Sequence, residues 1–501
     1  GFIAQGMARS TGKAAVCFAT SGPGATNLIT AIADAKLDSV PVVAFTGQVA
    51  TTMIGTDAFQ EIDTYGLTIP VTRHNFLARS AADLLEIIPE AFRIAESGRP
   101  GPVVIDVPRD VQLQEVEFDE WPSFHEINTK DGIDSNSLSE IASEINNSLR
   151  PVILYGAGII ESRSESLLAE LAEKNNIPVI STLRGLGAFD PFHPLYLGMM
   201  GMHGTKYANH ITDQADLVLA LGFRFDDRAT GKASDFCSNA RIIQVDIDKT
   251  EIGKIKAVHR HIHADINVFL EAVIPLIDRD QRTEWTGRAA AVKELMPYIK
   301  APLNGDVFHP LRIIDEVAAT VPEDTIVTTD VGQHQMWVAM KYPFRRSRTF
   351  LTSGGLGTMG FGVPAAIGAA LAWPGRKVVC FSGDGSFLMN IQELATIAEQ
   401  KPNLAILLFN NGSLGLVRQQ QELFYEKKYI ASEFQSRPDF AMIARGFGIK
   451  SFDLEKEKDP LAVLRGALDS EEPVFVNIPI NFSENVFPMV PPGSANKIMI
   501  G

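Results

Sequence analysis

Two short apolar runs, Lys377–Phe381 and Leu404–Phe409, constrain the fold more than any other part of the chain. The first ends in Gly383-Asp-Gly385 and the second in Asn410-Asn411, and the stretch between them, Ser386 to Gln400, has a helical pattern. A strand–helix–strand crossover sets its two strands side by side and parallel, with their C-terminal ends at one edge. Asp384 and Asn411 should therefore converge. One carboxylate and one amide oxygen, completed by a backbone carbonyl and phosphate oxygens, suit an octahedral Mg²⁺ bound together with a diphosphate. The glycines let backbone approach the phosphates, and the helix beginning at Ser386 offers free N–H groups to the anion. A Gly-Asp-Gly turn alone would be an ordinary loop; the paired asparagines after the neighbouring strand give it meaning.

The same alternation of short apolar runs and helical stretches extends through the chain, which is the pattern of α/β domains with largely parallel sheets. Strands are expected at Ala15–Ala19, Val42–Thr46, Val103–Val107, Val152–Tyr155, Leu217–Leu221, Ile242–Ile247 and Thr325–Thr329. Two weakly patterned stretches, 113–137 and 279–306, read as linkers, the second as helical or linking. They divide the chain into three α/β units, 1–112, 138–278 and 307–485, with a tail at 486–501. No short-period repeat is present, so a solenoid is not expected.

Composition narrows the partners. The net charge of −15 disfavours a polyanion such as nucleic acid, and the basic string Phe344–Arg348 reads as a solvated loop. Three scattered cysteines give neither a disulfide framework nor a zinc site. No run approaches the ~20 apolar residues of a membrane helix.

Several strings resemble one family closely. Ala19-Thr-Ser-Gly-Pro-Gly-Ala-Thr-Asn27, Gly55-Thr-Asp-Ala-Phe-Gln-Glu61, Gly98-Arg-Pro-Gly-Pro-Val103, Gly201-Met-His-Gly204, Arg224-Phe-Asp-Asp-Arg228, Asp330-Val-Gly-Gln-His-Gln-Met-Trp337, Ser353-Gly-Gly-Leu-Gly-Thr-Met-Gly-Phe-Gly362 and Val490-Pro-Pro-Gly493 are similar to acetohydroxyacid (acetolactate) synthase catalytic subunits. The resemblance runs the whole length. It implies the thiamine-diphosphate enzyme fold, with units 1–112, 138–278 and 307–485 as pyrimidine-binding, FAD-binding and diphosphate-binding domains. It also implies thiamine diphosphate, Mg²⁺ and FAD as cofactors.

Carried over by position, the resemblance implies Val331, Gly332, Gln333, His334, Gly357, Gly383, Gly385, Ser386, Leu416 and Val417 around thiamine diphosphate. Met359 would lie beneath it and support its bent form. Asp384, Asn411 and the Ser413 main-chain oxygen would be the metal ligands. Arg99, His203, Gly204, Arg224, Asp246 and Asp265 fall in stretches that hold FAD, and Gln48, Phe59 and Gln60 on the substrate side. The family's activating glutamate belongs to an H-E-x-G-A string and would fall four positions before Gly1, outside this sequence. Glu61 is a poor substitute for it.

The implied reaction decarboxylates pyruvate and passes the two-carbon unit to a second pyruvate or to 2-oxobutyrate. A homodimer or homotetramer, a small regulatory subunit and a bacterial cytoplasmic setting go with it. Two departures bear on substrate handling. Gln420 stands where many members carry Trp, resembling a bacterial isozyme-I type, and Arg109 stands where Lys is commoner. The alternatives are a flavin-linked pyruvate oxidase, which shares fold and cofactors, and a non-catalytic fragment that binds only Mg²⁺ and thiamine diphosphate.

Overall fold

The computed structural model describes residues 1–122, 132–297 and 305–501. The middle of the first expected linker and the end of the second lie outside them. Three sheets form, and every strand pair in them is parallel. The first contains β1 (Ala15–Ala19), β2 (Val42–Gln48), β3 (His74–Leu77) and β4 (Val103–Pro108), in the order β1-β2-β4-β3. The second contains β5 (Pro151–Tyr155), β6 (Val179–Ser181), β7 (Tyr196–Met199), β8 (Leu217–Leu221), β9 (Arg241–Asp246) and β10 (Arg260–His263), in the order β10-β9-β8-β5-β6-β7. The third contains β11 (Ile326–Thr329), β12 (Phe350–Leu351), β13 (Val378–Gly383), β14 (Leu404–Asn410), β15 (Lys450–Asp453) and β16 (Val474–Pro479), in the order β12-β11-β13-β14-β16-β15.

Burial on both faces explains why the central strands are continuous apolar runs. Along β13, Val378 and Cys380 pack on one side of the third sheet with Ile367 and Ile397. Val379 and Phe381 pack on the other, with Trp337 and Val338. The helix at Gln333–Lys341 thus covers one face, and those at Gly362–Ala372 and Glu393–Gln400 cover the other. Strand order reverses between β11 and β13, which opens a crevice at their C-terminal ends, the usual ligand position in an open parallel sheet.

The expected helix from Ser386 to Gln400 is broken. A short turn covers Asp384–Phe387, a 3₁₀ turn covers Leu388–Asn390, and the regular helix starts only at Glu393. Asn390 commits its side-chain N–H to the Gly360 carbonyl, 2.7 Å away, which ties the crossover to a neighbouring loop. The stretch read as helical or linking contains a helix, Thr283–Leu295, whose Trp285, Ala289 and Val292 enter a core of the second domain. The basic string is solvated only in part, at Arg345 and Arg346. Phe344 is buried, and Arg348 crosses to Glu161 of the second domain at 2.9 Å.

The domains also pack directly on one another. The helix at Phe2–Thr11 lies against Gly362–Ala372, where a Cβ on Gly6 would sit 2.0 Å from the Ala365 carbonyl oxygen. The tail returns to the second domain, with Val490 N–H donating to Met202 O and Asn496 to Ala229 O. No helix among the described residues is long and apolar enough to cross a membrane.

Candidate functional site

The β13–β14 register sets Gly383 opposite Phe409, so the residues after each strand meet at one edge. Asp384 is buried there. Its carboxylate accepts from Gly385 N–H at 2.8 Å and Gly412 N–H at 2.6 Å. Burial pushes its pKa up to about 6, against the lowering effect of those N–H bonds. Asn411 donates to Gln333 Oε1 at 3.1 Å, and its Oδ1 accepts from Ser413 N–H at 3.1 Å. Ser413 forms an antiparallel bridge with Glu433. Leu414 N–H and the Gly412 carbonyl make its two bonds, to Ser432 and Phe434, so the Ser413 carbonyl is not used by it.

The segment after β11 closes the other side. Ser386 Oγ donates to Val331 O at 2.8 Å. Gln333 is buried and donates to Gln419 Oε1 at 3.0 Å and Glu484 O at 2.8 Å. His334 is buried with its Nε2 unpartnered, and burial drives its pKa down to about 3, so the ring is neutral. A Cβ on Gly383 would come within 2.9 Å of the His334 ring, and one on Gly385 within 2.6 Å of Leu414 and 3.7 Å of Met359 Cε. A side chain at either position would force these neighbours to shift.

These features fit a metal–diphosphate group. An orphaned imidazole nitrogen needs a polar partner, and the two glycines leave space where a Cβ would not fit. The oxygen donors are one carboxylate, one amide and one carbonyl, a set that leaves positions for phosphate oxygens. No group of three or more His, Cys, Asp or Glu able to hold a metal occurs among the described residues.

A cavity of about 1370 Å³ runs from the C-terminal ends of the second sheet to this corner. Of the sequence-predicted residues, Arg99, His203, Arg224, Asp246, Asp265, Val331, Gly357, Leu416 and Gln420 line it. Its volume exceeds the roughly 300–1,000 Å³ of an ordinary small-ligand pocket, which suits an extended dinucleotide. Arg99 is braced by Asp248 at 3.0 Å and Glu251 at 2.8 Å, and Arg224 donates to Leu37 O at 2.8 Å. His203 contacts Pro488 O at 3.3 Å, and burial lowers its pKa to about 4. Burial raises Asp246 to about 6. Asp265 caps the helix at Ile266–Val273. Gly204 is not in the lining; a Cβ there would strike Met200 backbone at 2.4 Å, so its role in the turn is steric. Gly156 and Gly158 do line the cavity, yet both also press on Gly222, where a Cβ on Gly156 would lie 2.2 Å from the carbonyl oxygen.

Val417 is about half exposed on the helix Gly415–Phe424 and lies outside the cavity lining. Arg109 is exposed at the start of a short helix and is also outside it. Within one chain the substrate-side residues Gln48, Phe59 and Gln60 are not among those lining the cavity. Gln48 is buried and satisfied: it donates to Ile62 O at 2.9 Å and Asp106 at 3.0 Å, and accepts from Val49 N–H at 2.9 Å. Phe59, 89% exposed, and Gln60 stand on an outward-facing loop. Glu61 binds that loop's own backbone, accepting from Gly55, Thr56 and Ala58 N–H groups, which lowers its pKa.

Comparison with known proteins fits this arrangement. Three models match in order: thiamine pyrophosphate enzyme, N-terminal TPP binding domain, at 1–67; central domain, at 138–273; and C-terminal TPP binding domain, at 330–478. The acetolactate synthase isozyme 1 large subunit of Escherichia coli (strain K12) is 52% identical over 501 residues, covering 100% of this chain and 89% of that protein. The chain belongs to the acetolactate synthase large-subunit family. The isozyme 2 large subunit of the same organism is 42% identical over 497 residues, covering 99% and 90%. The acetolactate synthase large subunit of Lactococcus lactis subsp. lactis (strain IL1403) is 43% identical over 504 residues, covering 99% and 87%. For a member of this family, the corner at Asp384 and Asn411 lies in the thiamine-diphosphate-binding domain.

Sequence reading missed a buried group where the three domains meet. Arg9, Asp34 and Asp38 of the first domain, Arg184 of the second and the 352–358 segment of the third bond to one another. Nothing local signals such a cluster, because its members lie far apart in the chain.

Proposed function

We propose that the protein is the catalytic subunit of an acetolactate synthase. It decarboxylates pyruvate and joins the remaining two carbons to a second pyruvate or to 2-oxobutyrate, giving 2-acetolactate or 2-aceto-2-hydroxybutyrate for branched-chain amino acid synthesis. The observation that carries this reading is full-length likeness to acetolactate synthase large subunits, joined to a metal–diphosphate corner built from Asp384, Asn411 and the Ser413 carbonyl.

In this reading Asp384, Asn411 and Ser413 hold Mg²⁺ against the diphosphate. His334 presents its unpartnered Nε2 to the same corner, where it can donate to a phosphate oxygen once that nitrogen carries the proton, and Val331, Gly332, Gln333, Gly383, Gly385 and Ser386 enclose the same group. Gly357, Met359, Leu416 and Val417 bound the rest of thiamine diphosphate. When bound, the cofactor supplies the electron sink that pyruvate decarboxylation needs. Arg99, His203, Arg224, Asp246 and Asp265 hold FAD in the cavity, and Gly204 shapes the turn that carries His203. Gln420, at the cavity wall, and Arg109 handle the second substrate.

Gln48, Phe59 and Gln60 complete the substrate side from a second copy. Support comes from their absence from the cavity lining of their own chain and from the outward stance of Phe59. The assembly is then at least a homodimer. A small regulatory subunit goes with a large subunit, and likeness to two Escherichia coli proteins supports a bacterial cytoplasmic setting.

The test is acetolactate formation from pyruvate by the full-length protein with thiamine diphosphate, Mg²⁺ and FAD, with oxygen followed in parallel. Acetolactate without oxygen uptake is expected. Acetate or acetyl phosphate with oxygen uptake would move the protein to a flavin-linked oxidase. No product from a cofactor-loaded dimer would refute a catalytic role.

A further inference from the structure

The buried cluster at the three-domain junction borders the cavity through Asp38, Arg184 and Ser353–Gly355, but none of the cofactor roles assigned above falls on Arg9, Asp34, Asp38 or Arg184. Arg9 donates to Asp34 at 3.0 Å, Asp38 at 2.9 Å and the Thr352 carbonyl at 3.0 Å. Arg184 reaches Asp38 at 2.9 Å. Burial alone would raise the Asp38 pKa, but Arg184 and Arg9 hold it well below the ordinary carboxylate range. Two buried carboxylates and two guanidinium groups are costly to desolvate, and replacing such groups with apolar ones is often neutral or stabilising. What the cluster holds in place is therefore informative.

It holds one loop. Asp38 accepts from Gly354 N–H at 2.9 Å and Gly355 N–H at 2.8 Å. Asp34 Oδ1 accepts from Ser353 Oγ and from Thr358 Oγ1, the latter at 2.9 Å. Ser353 Oγ in turn accepts from Thr358 N–H at 2.8 Å. On the far side of Met359, Gly360 N–H donates to Asp330 at 2.7 Å and its carbonyl accepts from Asn390 at 2.7 Å. Met359 is thus bracketed by two residues, each fixed to a buried carboxylate. One carboxylate, Asp330, belongs to the third domain, and the other, Asp34, to the first.

We propose that Asp34 is a positioning residue: through Ser353 and Thr358 it sets where Met359 stands against the diphosphate corner, so that the first domain shapes the cofactor site of the third within one chain. This rests on the reading of Met359 as a thiamine diphosphate contact.

Thr358→Val removes one hydroxyl bond to Asp34 and keeps the side-chain shape, and Ser353→Ala removes the other. Both are made in the full-length protein, beside Thr358→Ser and Met359→Ala. Affinity for Mg²⁺–thiamine diphosphate is measured by calorimetry, the near-ultraviolet circular dichroism of the bound cofactor reports its environment, and FAD affinity is measured separately. A bond to a carboxylate is worth roughly tenfold or more. Thr358→Val and Ser353→Ala should each weaken thiamine diphosphate binding about tenfold. They should alter the dichroism in the same sense as Met359→Ala and leave FAD affinity unchanged, and Thr358→Ser should restore both signals. Wild-type affinity and dichroism in Thr358→Val and Ser353→Ala, with Met359→Ala altered, would overturn the role of Asp34. Equal loss of FAD affinity would overturn it too, since the loop would then be shaping the whole cavity. An unaltered Met359→Ala would instead remove the Met359 reading on which the inference stands.

Discussion

Gly415 begins the helix Gly415–Phe424, and a methyl group there should damage the diphosphate corner through one defined collision. A Cβ at this position would sit 2.0 Å from Gln333 Oε1 and 2.8 Å from Asn411 Nδ2. Ordinary contact begins near 3.4 Å, so the Gln333 carboxamide must move by more than an ångström. It has nowhere cheap to go, because it is buried and bonded to Gln419, Glu484 and Asn411. Losing those three bonds costs about 1 kcal/mol each, and alanine's better helix propensity returns up to about 1 kcal/mol, leaving a net loss of about 2 kcal/mol. Three domains make one global unfolding energy ill-defined, so local amide exchange is the better measure. Peptides from Gln333–Lys341 and Gly415–Phe424 should exchange roughly 30-fold faster in Gly415→Ala. Gln333→Ala removes the obstructing carboxamide. Added to that background, Gly415→Ala should cost far less than in wild type, since only the Asn411 Nδ2 contact at 2.8 Å remains, a strongly non-additive cycle. Equal cost in both backgrounds would refute the argument, because the damage would then not pass through Gln333.

The remaining expectations concern acceptor choice, pH and packing. Gln420→Trp should move acceptor use toward 2-oxobutyrate by about 1–3 kcal/mol in relative kcat/KM, since an apolar wall then meets the extra methylene; an unchanged product ratio at equal substrate levels would count against Gln420 as the acceptor residue. His203 is held near 4 in the fold against about 6.5 unfolded, so the unfolded chain binds the extra proton between those values. Its stabilising neutrality is intact above 6.5 and is lost as pH falls toward 4. The stability gap between wild type and His203→Gln should therefore shift by about 2 kcal/mol against wild type from pH 7 to pH 5, read as the local opening energy from matched amide-exchange measurements on the segment around His203. Gly368→Ala would drive a Cβ to 2.0 Å from the Ile3 carbonyl and should cost about 1–3 kcal/mol by forcing two helices apart. Gly466→Ala, where nothing lies within 4 Å of the added carbon, should instead stabilise by about 0.5–1 kcal/mol. Thermal midpoints moving in the same direction would refute that contrast.

What could be read from sequence follows from where each signal is stored. Val152–Tyr155, Leu217–Leu221 and Leu404–Phe409 are central strands buried on both faces, so their apolar runs announce them. His74–Leu77, Arg260–His263 and Lys450–Asp453 are edge strands with polar or half-exposed residues, and they carry no such run. Asp384 and Asn411 were expected to converge because one crossover fixes two adjacent strand ends, a constraint contained in a single stretch of chain. The helix that follows is broken where Asn390 bonds to Gly360, a residue of another loop, and a partner so placed has no local sign.

The first-domain residues mark the limit of that reasoning. A motif names Gln48, Phe59 and Gln60, but only packing decides what they can touch. Gln48 has both amide hydrogens engaged by Ile62 O and Asp106, which leaves its oxygen as the only end with spare hydrogen-bonding capacity. Burial raises Asp106 to about 6. Phe59 is exposed although its loop is held by internal bonds to Glu61 and by Thr51 bonds to Asp110. Met53 and Ile54 of the same segment are exposed beside this bare phenyl ring. Under the proposed homodimer, the surface that this ring would meet is the third domain of the second copy, whose cavity lacks these residues.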